Sequence, residues 1–177
     1  MKSKVIALSA ISAGIIAIIL TLGAYIEFID LFSIVVASVF VLLPLYYNSY
    51  LGSFLCYLAG GVIAFLFAGF NIYSLVFPSY LLFFGIYPII KCLLTDKNVN
   101  KWLILFCGLI WCVGAFYGMY FYYIGVMGQV LSGLPEWVMN GILYFIGAVA
   151  IVFYLIYAKF ISMFRIFMNK YLGKIIK

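Results

Sequence analysis

The sequence contains no histidine, only four acidic residues and only four prolines among 177 positions. Without histidine the chain lacks the commonest general base and the commonest transition-metal ligand. Its acids, Glu27, Asp30, Asp96 and Glu136, are too few and too scattered to hold a divalent metal for head-group transfer. An intramembrane aspartyl protease needs two aspartates at membrane depth, a serine protease needs a base beside its nucleophile, and an ion-coupled carrier usually carries a mid-membrane carboxylate. None of these sets is present, so the chain is expected to be no enzyme and to use no cofactor and no metal. The four cysteines, Cys56, Cys92, Cys107 and Cys112, form no C-x-x-C pair and are expected to be reduced thiols buried by packing.

What the chain does have is apolar surface. Hydrophobic residues make up 69% of it, charged residues 8%, and the mean hydropathy is +1.32. No soluble fold of this length has enough interior to hide so much. The sequence predicts an all-α polytopic membrane protein, one transmembrane domain over residues 1–177, with spans at 5–26, 31–47, 50–70, 72–94, 102–126 and 141–164 and a basic juxtamembrane tail over 165–177. The first run, Val5 to Ile26, exceeds the apolar core of a signal peptide and ends in Tyr-Ile-Glu-Phe-Ile-Asp, so it is expected to be a permanent span. The fourth is interrupted by Pro78, Gly85 and Pro88, which predicts a bend where neighbours must satisfy freed backbone groups. The tail alternates basic and apolar residues and is expected to lie along an anionic membrane surface.

From Val5 to Ile90 there is no Lys or Arg; cations return at Lys91, Lys97 and Lys101 and again from Lys159 onward. A formal charge of +6 placed at the chain ends and in one loop is a topology signal, and no nucleic-acid partner is expected. Six spans with a cytoplasmic N-terminus put all ten cations inside and Glu27, Asp30 and Glu136 outside. This predicts a multi-pass protein of the cell membrane with both termini cytoplasmic.

Two features are candidates for function. Polar and aromatic residues gather on the predicted outer side: Glu27, Asp30, Asn71, Tyr73, Tyr120, Tyr123, Gln129, Glu136, Trp137 and Asn140. They form either a small-molecule pocket, with rings supplying area and carboxylates or amides supplying orientation, or an interfacial belt. The second feature is the small-residue stripe Ser9-x-x-x-Ala13-x-x-x-Ala17, flanked by Ala10 and Gly14. Such a stripe lets a second helix approach closely, either within the bundle or from a partner protein.

Six spans in about 20 kDa, cytoplasmic termini and this stripe resemble the substrate-binding S component of an energy-coupling factor transporter. The resemblance implies that Ala13 and Ala17 dock on a transmembrane coupling protein served by ATPase subunits, and that a vitamin-like ligand binds near the outer surface. No residue set here matches the ligand set of a known vitamin binder. The leading expectation is a non-catalytic substrate-capture subunit of a multi-component importer. The alternative is a structural or assembly protein that forms a homo- or hetero-oligomer and binds no small molecule.

Overall fold

The computed structural model describes the backbone of residues 2–71, 74–127 and 136–175, and their side chains other than those of residues 2, 27, 126–127, 136–140, 169 and 171–175. Among the described residues every regular element is helical. Helix α1 spans Lys2–Tyr25, and a short 3-10 turn over Glu27–Ile29 leads into α2, Asp30–Phe40. A second 3-10 turn, Leu43–Tyr47, completes that span before α3, Tyr50–Phe67. The fourth span is composite: α4, Val76–Ser79, a π-helical turn over Tyr80–Phe84, and α5, Tyr87–Asp96. Helices α6, Lys101–Met127, and α7, Glu136–Ile175, follow.

Six stretches are long and apolar enough to cross a membrane: Ser3–Tyr25, Asp30–Tyr47, Tyr50–Phe67, Val76–Asp96, Lys101–Gly125 and Gly141–Met168. They match the expected spans to within a few residues. The fourth is the centre of the bundle, with 61% of its apolar window buried against 17–44% for the other five. Helix α1 packs most extensively on α3 and then on α2, while α6 packs on α7.

Local sequence explains the element ends. Asn48 adopts a left-handed conformation (φ 54°) and its N–H donates to the carbonyl of Leu45 at 2.9 Å, closing the turn after the second span. Ser49 then caps α3, its hydroxyl accepting from the N–H of Gly52 at 3.1 Å. Pro88 sits in the first turn of α5, where no N–H is needed. The expected bend is made by the π turn, in which the N–H of Gly85 reaches back five residues to the carbonyl of Tyr80 at 2.8 Å. The carbonyl of Leu81 accepts from the Tyr57 hydroxyl (2.9 Å) and that of Phe84 from the Tyr157 hydroxyl (3.3 Å), so α3 and α7 supply partners inside the apolar layer. Around it Phe83 stacks on Tyr87 with centroids 4.8 Å apart, and Phe84 meets Phe153 and Tyr157 edge-on.

Two features refine the expectations. Residues 165–175 of the expected basic tail continue the helix of the last span. Helix α7 is continuous over 40 residues, about 60 Å at 1.5 Å per residue, because neither Gly nor Pro follows Gly147 until Gly173. Cys56, Cys92 and Cys112 are buried free thiols, but Cys107 is an exposed one, on the outward side of α6.

Candidate functional site

Small residues decide how α1 and α3 meet. Ala13 and Ala17 are 6% and 4% exposed, and a Cβ on Gly60 would lie 3.2 Å from the Ala13 carbonyl oxygen, so the two backbones nearly touch. The Ala13/Ala17 face is therefore covered by α3. Ser9 lies farther along the stripe, half-buried, with a hydroxyl that has no hydrogen-bond partner in the structure. It lines a groove of about 650 Å³ between the start of α1 and Tyr47, Ser49 and Gly52. Ala10 and Gly14, on the adjacent stripe, are exposed, and nothing lies within 4 Å of where a Gly14 Cβ would be.

The expected outer set is only partly described. Tyr73 and Gln129 lie outside the described residues, as do the side chains of Glu27, Glu136, Trp137 and Asn140. Asp30 opens α2, its carbonyl accepting from the Ser33 hydroxyl at 2.7 Å, and Asn71 follows the left-handed pair Gly69 and Phe70. Tyr120 lies against Phe121 with ring centroids 5.7 Å apart, and Tyr123 is exposed. Of the four whose side chains are described, Asp30, Asn71, Tyr120 and Tyr123, none lines the α1 groove or the cleft at the other end of the bundle.

At the opposite end of the bundle three helices open a cleft of about 640 Å³. Helix α5 contributes Tyr87, Lys91 and Thr95 from one face, plus Asp96; α6 contributes Lys101, Ile104 and Leu105; α7 contributes Tyr154, Ala158, Lys159, Ser162 and Arg165. The spacing i, i+4, i+8 on α5 and again on α7 puts these side chains on facing stripes. Four cations and one carboxylate thus line a largely apolar space.

Its polar groups are held in place. The Arg165 guanidinium pairs with Asp96 and donates to the Cys92 carbonyl at 3.2 Å, tying α7 to the end of α5. Tyr50, at the start of α3, donates its hydroxyl to the same Asp96. The Lys91 ammonium reaches the Ala158 carbonyl on α7. Deeper in, the Tyr87 hydroxyl donates to that of Tyr154 at 3.1 Å, and Tyr154 donates to the Leu105 carbonyl at 2.9 Å. Thr95 and Ser162 turn their hydroxyls onto the carbonyls of Lys91 and Ala158 at 2.7 and 3.0 Å.

The hydroxyl protons in the wall are thus already engaged, whereas the ammonium groups of Lys101 and Lys159 stand on exposed residues at the rim. Such an arrangement of cations in an apolar space attracts an anion electrostatically. Among the described residues no three metal-capable side chains come together. Sequence reasoning assigned Lys91, Lys101 and Lys159 to topology and contact with lipid head groups, and Arg165 to the basic tail expected along the membrane surface. The signal that pointed further was the polar stripe Tyr87-Lys91-Thr95 at four-residue spacing, and Tyr154 and Ser162 eight apart on one helix face, inside otherwise apolar spans. Compared with known proteins, the chain matches no family model, no curated protein and no solved structure.

Proposed function

We propose that the chain is a non-catalytic membrane-embedded binding protein that holds an amphiphilic anion in the cleft between α5, α6 and α7. The observation that carries this is the cleft itself, about 640 Å³ with apolar walls and four cations against one carboxylate. Small-molecule sites are typically about 300–1,000 Å³, largely apolar, with a few fixed polar groups. The positive-inside bias favours a cytoplasmic position for this end of the bundle, in the cell membrane. Native mass spectrometry of the full chain, gently extracted from its own membrane, tests the proposal. An amphiphile is expected to co-purify and to be lost from Ser162→Trp, which fills the cleft from an exposed position of its wall. An unchanged adduct in that variant would overturn the proposal.

A capture subunit of a multi-component importer, similar in layout to the S components of energy-coupling factor transporters, is a second reading. One observation favours it: Ala10 and Gly14 leave an exposed small-residue face on α1 that a helix of a coupling protein fits. The partner contact then lies on this stripe, since Ala13 and Ala17 are occupied by α3. Gly14→Leu is expected to abolish co-purification of a transmembrane coupling protein and its ATPase subunits while the bound amphiphile stays. Retention of those subunits would count against this reading.

A further inference from the structure

We infer that the head group taken by the cleft is a phosphomonoester carried on an apolar chain; this deepens the binding reading above and rests on it. Charge comes first. Lys91, Lys101, Lys159 and Arg165 against Asp96 leave three positive charges in the wall. A carboxylate or a phosphodiester carries a single negative charge and leaves most of that excess standing. A phosphomonoester brings about −1.5 to −2 and three acceptor oxygens.

Donor supply points the same way. Tyr87, Tyr154, Thr95 and Ser162 spend their protons on internal acceptors, so a neutral head such as a sugar finds no hydroxyl donor in this wall. The donors left are ammonium N–H groups, which bind phosphate as point charges. Lys91 is the strongest case. It is half-buried, its partner is a backbone carbonyl, and the cleft's one carboxylate is taken by Arg165 and Tyr50. A cation withdrawn from water without a counter-charge is costly, and a bound phosphate supplies that counter-charge.

The apolar chain follows from where the cleft opens. Leu105, Leu155 and Ile166 line it and are 37%, 47% and 68% exposed, at helix positions that a bilayer would cover. A ligand seated by its phosphate against Lys91 therefore has a lateral exit for its tail into lipid. Basic pockets between transmembrane helices on the cytoplasmic side bind anionic head groups in this way.

The test titrates the purified full chain, in a non-ionic detergent, with dioleoyl phosphatidate, dioleoyl phosphatidylglycerol, dioleoyl phosphatidylcholine and inorganic phosphate, with binding read by native mass spectrometry. Phosphatidate is expected to bind about tenfold or more tighter than the two diesters, and inorganic phosphate far more weakly than phosphatidate. Lys91→Gln and Lys159→Gln should each weaken phosphatidate about fivefold, the effect of one cation near a lipid surface, while Lys97→Gln, outside the cleft, should not. Lys159 is exposed, so its variant keeps the test valid if Lys91→Gln folds poorly. Phosphatidate and phosphatidylglycerol binding within twofold of each other, both lost in Ser162→Trp, would overturn the phosphomonoester and leave the amphiphile reading intact. Inorganic phosphate binding as tightly as phosphatidate would overturn the apolar chain. Lipid binding untouched by Ser162→Trp would overturn both readings.

Discussion

At the scale of single residues, binding and stability pull in opposite directions at Lys91. Its ammonium is withdrawn from water against the Ala158 carbonyl, whereas a methionine would fill the same volume with no charge to desolvate. Lys91→Met is expected to leave stability unchanged or raise it by up to about 2 kcal/mol, measured by thermal unfolding in detergent, while phosphatidate affinity falls. A loss of stability together with binding would make Lys91 a structural residue instead. Asp96 has the converse role, because it occupies Arg165. Asp96→Asn removes the only carboxylate among the described residues of the wall and should tighten phosphatidate binding several-fold. Its ion pair joins side chains that are 23% and 40% exposed, so the stability change should stay within about 1 kcal/mol. Gly108 is the third such position, since a Cβ there would lie 2.8 Å from the Tyr87 ring and strike the Tyr154 hydroxyl. Gly108→Ala is expected to cost about 1–3 kcal/mol by overpacking and to disturb the hydroxyl chain that forms the deep wall of the cleft.

At the scale of elements, the π turn in the fourth span shows how far local sequence reaches. Pro78, Gly85 and Pro88 announced an interruption, and one is there, but its kind depends on groups far away in the chain. A turn with i→i+5 bonding frees carbonyls at Leu81 and Phe84, and it persists in an apolar layer because Tyr57 on α3 and Tyr157 on α7 donate to them. Those partners stand 24 and 73 positions away, so no window of sequence around Gly85 contains the cause. Tyr57→Phe and Tyr157→Phe are each expected to cost about 1 kcal/mol, read by thermal unfolding, and together to increase hydrogen exchange at residues 80–85. No change in exchange would mean the turn stands without its tyrosine partners. Helix α7 illustrates the same limit from the other side. Its spacing of basic and apolar residues marked a helix but not its junction: without a helix breaker the chain continues from the span, and Arg165 pairs with Asp96 and donates to the Cys92 carbonyl.

At the scale of the whole molecule, the six spans were legible because length and hydropathy alone determine what crosses a bilayer. The cleft was not, because its wall is assembled from faces of α5, α6 and α7, and only packing places Lys91, Lys101 and Lys159 around one space. The stripe on α1 lies between these cases: its small residues promised a close approach, and α3, through Gly60, makes one. The same contacts gather the described cations. The start of α1 meets Tyr47 and Ser49, Tyr50 meets Asp96, and Asp96 meets Arg165, while Tyr25 donates to the Phe67 carbonyl at the far end. A bundle whose described cations gather at one end should insert with that end in the cytoplasm. Single cysteines test this directly. Cys56, Cys92 and Cys112 are buried, so a background carrying Cys107→Ser leaves little native reactivity. Phe28→Cys, at a fully exposed position of the turn after α1, should react with a membrane-impermeant maleimide on intact cells. Lys97→Cys, at the exposed end of α5, should react only after permeabilisation. The reverse pattern would invert the protein, open the cleft between α5, α6 and α7 to the outer leaflet, and require its ligand to come from outside the cell.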